Sequence, residues 1–187
     1  SYAWYGFDWN GYMYENTTFY QSSKKYKAKA DGKLCVNEWI YEDDDAYYAG
    51  ADGAYLMGET VTYKGKMYYL QSWGAMLVNG SSNGYRARED GSLYVNAWYT
   101  DDDPSYEWAD WYYYGSDGKA AKGVTVIGGK TYIFNDYGYM MQNTLYSDGT
   151  NAWVVNKDGI ATKLVNNNWT YLDGKYYYAV NGKAYDS

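Results

Sequence analysis

The chain has 187 residues and a formal net charge of −7, with a pI near 4.5; it lacks the excess of Lys and Arg that binding a phosphate backbone requires, and nucleic acid is excluded as a partner. It holds 29 Tyr and 9 Trp but only 3 Phe, a choice of bulky rings with polar edges that suits a fold keeping many rings half exposed rather than one built on a dry aliphatic core. No apolar run approaches the ~18 residues that a membrane-crossing helix needs, and with no His and one Cys the usual triads, zinc sites and intramolecular disulfides are excluded as well.

Ser1 opens directly inside a repeat-like segment, so the chain is expected to be a fragment from which any targeting signal has been removed. From there a turn signal recurs. Gly11, Gly32, Gly53, Gly74, Gly91, Gly118, Gly138, Gly159 and Gly182 lie 21, 21, 21, 17, 27, 20, 21 and 23 residues apart. Most follow Asp or Asn, as in Asn10-Gly11, Asp31-Gly32, Asp52-Gly53, Asp90-Gly91, Asp117-Gly118, Asp158-Gly159 and Asn181-Gly182. Such pairs supply the positive φ that tight hairpin turns require. A second set falls between them: Lys64-Gly65, Gly128-Gly129, Asp148-Gly149 and Asp173-Gly174. Each unit therefore reads as strand, turn, strand, connection.

The segments between turns alternate as half-buried strands do. In Tyr26-Lys27-Ala28-Lys29-Ala30 the apolar side chains share one face, and Tyr85-Arg86-Ala87-Arg88 repeats the pattern. Cys35 reads as a small apolar strand residue. No stretch carries a helical apolar period. A longer duplication lies above the short one: YKAKADGKLCVNEW (Tyr26 to Trp39) matches YRAREDGSLYVNAW (Tyr85 to Trp98), and GKMYYLQSWGAM (Gly65 to Met76) matches GKTYIFNDYGYM (Gly129 to Met140). Extra residues around Pro104 to Asp110 read as an elongated loop and account for the irregular spacings. The prediction is an all-β chain of tandem β-hairpin repeats stacked as a solenoid, with 1–187 forming a single array of about nine hairpin units and hairpin turns centred on the 21-residue glycines.

The segments Met67-Tyr68-Tyr69 with Gly74-Ala75-Met76, Thr131 to Phe134 with Gly138-Tyr139-Met140, Trp111-Tyr112-Tyr113 with Asp117-Gly118, and Tyr176-Tyr177-Tyr178 with Asn181-Gly182 resemble the choline-binding and glucan-binding repeats of Gram-positive surface proteins. The resemblance implies a bacterial protein that is secreted or held at the cell surface, and it implies ligand sites walled by aromatic residues from adjacent hairpins. In such repeats a Gly-Trp step recurs. Here it is loosely kept at Glu38-Trp39 and Ala97-Trp98 and becomes Thr60-Val61 and Thr125-Val126 elsewhere. A quaternary ammonium is held by cation–π attraction from several walls, so free choline is expected to bind weakly where Val61 and Val126 stand for a Trp.

The acids do not suggest catalysis, because the Asp residues fall at recurring turn positions where their role is structural. The runs Asp43 to Asp45 and Asp101 to Asp103 lack EF-hand spacing and read as solvated loops. No cofactor or metal is implied, and no enzyme activity is expected of this segment, though it could be appended to a secreted enzyme. What remains is an exposed aromatic ladder on which sugar rings can stack while neighbouring Asn, Asp and Gln bond their hydroxyls. The ligand-binding candidates are Trp39, Trp73, Trp98, Trp108, Trp111, Trp153 and Trp169, with Tyr69 and Tyr113. Trp39 and Trp98 stand out because each ends a duplicated unit and precedes an acidic run. The expected function is a non-catalytic module that binds a cell-wall or extracellular polysaccharide. Choline or teichoic acid binding, or a spacer with no ligand, are the alternatives.

Overall fold

The computed structural model describes residues 3–101, 103 and 109–186, and among these there is no helix. The chain divides into two compact units, Ser1–Tyr94 and Val95–Ser187. The first holds four hairpins: Thr17–Gln21 with Lys24–Ala28 (β1, β2), Glu38–Glu42 with Asp45–Ala49 (β3, β4), Glu59–Tyr63 with Lys66–Leu70 (β5, β6), and the short pair Ser81–Ser82 with Tyr85–Arg86 (β7, β8). The second begins with the hairpins Ala97–Thr100 with Trp111–Tyr114 (β9, β10) and Gly123–Ile127 with Lys130–Phe134 (β11, β12). It continues with two three-stranded sheets, Thr144–Ser147, Ala152–Val155 and Ala161–Lys163 (β13 to β15), then Asn168–Leu172, Lys175–Val180 and Lys183–Asp186 (β16 to β18). All strand pairs are antiparallel.

The two turn signals do different work, and here the expectation is corrected. The hairpins are closed by two-residue turns at Ser22-Ser23, Lys64-Gly65, Asn83-Gly84, Gly128-Gly129 and Asp173-Gly174, each with two positive φ values, as the strand twist demands. Gly32, Gly53, Gly74, Gly91, Gly118 and Gly138 lie one turn later, whereas Gly159 stands in the reversal between the paired strands β14 and β15 and Gly182, with Asn181, closes the β17–β18 hairpin as expected. Gly32, for example, donates to the Lys29 carbonyl at 3.0 Å while Lys29 donates to the Lys33 carbonyl at 2.8 Å, and Ala28 bridges Leu34 beyond the turn. The preceding Asp or Asn caps this reversal: Asp52, Asp90 and Asp117 each accept the backbone N–H two residues on, at 3.0, 2.9 and 3.0 Å. The side-chain oxygen offers the backbone a partner that neither strand can supply.

The connection after each hairpin is itself a short third segment, and it joins neighbours. Tyr55 donates to the Lys25 carbonyl of β2 while Leu56 donates to Tyr48 of β4; Met76 and Leu77 do the same to Ala46 and Tyr69, and Leu93 and Tyr94 to Met67 and Arg86. In the second unit Met140 and Met141 repeat the pattern on Trp111 and Ile133. The small cores sit between these layers. Ile40, Ala49, Tyr55 and the free thiol of Cys35 cluster in the first unit, and burial pushes the Cys35 thiol pKa up, with the nearby Glu38 carboxylate adding to the rise. In the second unit Ile133, Trp153, Val155 and Ala161 form one cluster, and Ala152, Val154, Leu164 and Ala179 another.

Candidate aromatic ligand sites

One residue sets the register of each hairpin. Asn16, Asn37, Asn96, Asn143 and Asn167 have φ of 45, 52, 48, 46 and 58°, and Gly58 has 70°. Each stands immediately before the first strand of its hairpin, and its N–H donates to a residue just past the second strand, as Asn37 does to Gly50 at 3.2 Å and Asn96 to Gly115 at 3.1 Å, except that Asn167 donates to Ala179 within the second strand. Asn tolerates this left-handed conformation better than other non-glycine residues. With the register fixed, the second residue of the first strand is Thr18, Trp39, Thr60, Trp98, Val124, Leu145 and Trp169, facing Lys27, Tyr48, Tyr69, Tyr113, Ile133, Val154 and Tyr178. The place expected for Val61 and Val126 thus belongs to Thr60 and Val124, because the strand starts at the positive-φ residue.

Two of these positions build the same object. Trp39 meets Tyr48 of its own hairpin at 5.2 Å between ring centroids and 79° between planes, and Tyr68 of the next hairpin at 5.1 Å and 76°. Trp98 meets Tyr113 at 5.2 Å and 64°, and Tyr132 of the next hairpin at 5.0 Å and 70°. Edge-to-face packing of this kind is the preferred contact of quadrupolar rings. Each set presents three walls of a box corner, with the indole half-buried. Tyr63 borders the first corner at 6.1 Å from Trp39, and Trp111 borders the second at 6.4 Å from Trp98. Trp169 starts a third with Tyr178 at 5.1 Å, but stands 58% exposed.

The other candidates divide. Trp73 is 60% exposed in the turn before Gly74. Tyr69 and Trp153, expected on the open ladder, are buried at 4 and 5% exposure. Tyr69 stacks on Tyr85 at 4.5 Å and its hydroxyl accepts from Asn83, while Trp153 packs into the Ile133 cluster. Tyr69 faces Thr60 across its hairpin and Trp153 faces Tyr146, so neither ring stands on an open ladder. Trp108 lies outside the described residues. The sequence reading missed Tyr48, Tyr68 and Tyr132, the rings that complete the corners; the signal was the positive-φ Asn two residues before Trp39 and Trp98.

Glu42, the first acid after Trp39, does not flank its ring. Side chains alternate along a strand, so Glu42 points to the Ile40 face. Its carboxylate accepts from Lys27 at 2.8 Å, from the Tyr55 hydroxyl at 3.0 Å and from the Thr18 hydroxyl, with Lys25 3.7 Å away. Burial works to raise its pKa, but the bonds from Lys27, Thr18 and Tyr55 win and hold it at about 2. Burial, with the facing carboxylate, pushes the Tyr55 hydroxyl far above its ordinary value. This is a structural hub. In the second unit Asp101 is likewise bonded, by the Tyr99 hydroxyl. Among the described residues no group of three acids or thiols could hold a metal, and no helix is long and apolar enough to cross a membrane.

The chain is similar to choline-binding proteins and to part of a glucosyltransferase of streptococci. Choline binding protein F of Streptococcus pneumoniae, crystallised in the presence of a peptidoglycan analogue, superposes with a TM-score of 0.55 and 27% identity over 81% of this chain and 48% of that one. CbpJ of the same species shares the fold, with a TM-score of 0.57 at 21% identity over 99% of this chain and 70% of its own. Glucosyltransferase-S of Streptococcus mutans is 31% identical in an alignment of 128 positions that covers 57% of this chain and 8% of that protein. The chain thus spans about half of the choline-binding protein F chain and a small part of the glucosyltransferase. No protein-family profile matches the chain.

Proposed function

We propose that this chain is a non-catalytic repeat module that attaches its parent protein, outside the cell, to a cell-wall or extracellular polysaccharide, and that its ligand sites are the Trp39 and Trp98 corners. The observation that carries this reading is the duplicated corner: the same three ring types recur in the same register, with centroid distances agreeing to 0.1 Å. Packing alone does not require the duplication, since Thr60 and Val124 occupy the same strand position in other repeats. The register markers continue from Asn16 to Asn167, which supports reading 1–187 as one array of hairpins stacked as a solenoid. Tyr113 is a wall of the Trp98 corner in this reading, and Trp111, Trp73 and Trp169 extend the contact surface.

The three perpendicular walls also favour a second ligand chemistry. A quaternary ammonium seated in a desolvated corner gains about 2 kcal/mol from cation–π attraction, and both corners have all their walls, so choline on a wall polymer is the alternative occupant. One experiment tests the module and separates the ligands. Wild type, Trp39→Ala, Trp98→Ala and the double variant are measured for retention on insoluble α-glucan and on purified cell wall, with free choline as competitor. Each single change should weaken retention, and the double change should weaken it further. Elution by choline assigns the ammonium reading, and elution by soluble glucan alone assigns the sugar. Wild-type retention by folded double variant on every polymer would overturn the site assignment.

A further inference from the structure

The interval between the first two hairpins has the same construction as the corners but different walls. Thr18 stands where Trp39 and Trp98 stand in their hairpins, and Lys27 where Tyr48 and Tyr113 stand. The ring from the following hairpin is kept: Tyr47 is the third residue of β4, as Tyr68 is of β6 and Tyr132 of β12. Tyr55, from the connection after that hairpin, adds a second ring, its centroid 5.3 Å from that of Tyr47 with the planes inclined at 45°. Into this space the β2 strand sends Lys25. Its ammonium lies 4.3 Å from the Tyr47 centroid and 4.4 Å from the Tyr55 centroid, with a Glu42 oxygen at 3.7 Å. The lysine side chain is only 17% exposed and the glutamate 20%.

We infer that the space between the first two hairpins is an organic-cation site which the chain closes with its own lysine. Two ring faces and a carboxylate converge on one ammonium within contact distance, which is the complete equipment for holding a small organic cation. The site is therefore silent in the native chain, and removing the lysine side chain should open it. The rest of the hub does not depend on Lys25: Glu42 keeps its bonds from Lys27, Thr18 and Tyr55, and the bond that Lys25 makes to Tyr55 through its backbone carbonyl is untouched by substitution.

Tetramethylammonium is the probe, titrated by calorimetry into the full chain. Lys25→Ala should show one saturable site more than wild type, and the added site should persist when Trp39→Ala and Trp98→Ala are present too, which separates it from the corners. Lys25→Met removes the charge but fills the space, and should show no added site. In the wild-type protein the Lys25 side-chain protons next to the ammonium should be shifted upfield in the NMR spectrum by the two ring currents. An unshifted Lys25 resonance, a folded Lys25→Ala with no added site, or an equal gain in Lys25→Met would each overturn the inference. Should Lys25→Ala not fold, Lys25→Ser and the wild-type resonance decide the matter in the same way.

Discussion

Glu42 is the carboxylate at the centre of the hydrogen-bonded hub of the first unit. Its folded pKa of about 2 lies below the ordinary 4.5, so its contribution to stability is full above the ordinary glutamate range and is lost as pH falls from there through about 2. The shift corresponds to something on the order of 3 kcal/mol at neutral pH. Thermal unfolding of the first unit, followed by hydrogen exchange or by Trp39 fluorescence, should therefore weaken between about pH 5 and 2. Glu42→Gln should lower stability at neutral pH and flatten that acid limb, and an unchanged limb would show that another carboxylate carries it. The same residue shows where sequence reading stopped. Asp43 to Asp45 and Glu42 read as one acidic run beside Trp39, and only strand alternation with the true register turns Glu42 to the far face. The motif Asn-x-Trp tells a similar story: it occurs at Trp39, Trp98, Trp153 and Trp169, yet Trp153 is buried, because Asn151 follows a turn inside a sheet and is not among the positive-φ residues that open a hairpin.

At the scale of the element, the turn glycines are not equivalent, although the sequence presents them as one periodic set. A Cβ on Gly91 would meet the Met76 sulfur at 2.6 Å, and one on Gly159 the Met140 sulfur at 2.4 Å, whereas one on Gly65 would meet nothing within 4 Å. All three have positive φ, 77, 76 and 78°. Gly65→Ala should then cost only the left-handed conformation, about 1–2 kcal/mol. Gly91→Ala and Gly159→Ala should cost up to about 1 kcal/mol more, because the half-buried end of a methionine must shift to make room. Denaturant melts of the three variants check the difference, and equal losses would mean that the thioether swings away freely. In the other direction, Asn37→Gly and Asn96→Gly should be tolerated while the Ala variants lose about 1 kcal/mol each. The all-β class was legible from turn chemistry and alternation. The third segment of each repeat was not, since two residues with one bridge leave no periodic trace.

For the whole molecule, function in the proposed reading comes from repetition rather than from any single strong site. Two weak corners on one chain bind a repeating polymer with a gain of about 10²–10⁴ over either alone when the geometry lets both engage. Retention on polymer should accordingly exceed affinity for a short oligosaccharide or for free choline by that order. Either single tryptophan variant should lose most of the excess while its affinity for the small ligand falls only by about half in site number. Calorimetry on the small ligand beside a polymer pull-down measures both, and a single variant that keeps full polymer retention would show that one corner suffices. The two-site reading was accessible from the duplication of Trp39 and Trp98; the chemistry of their walls needed the partners that pairing supplies.

The bridging segments also give the chain an order of assembly. Lys25 waits for Tyr55, Ala46 for Met76 and Met67 for Leu93, so β2, β4 and β6 each receive a backbone partner from a residue about thirty positions downstream. As the polypeptide is made from its N-terminus, each of these hairpins stays one bond short of completion until the segment after the following hairpin has emerged. The entropic cost of each such closure grows only with the logarithm of the loop and is nearly the same for every repeat. Folding can therefore advance like a zip, trailing the growing end by a constant distance.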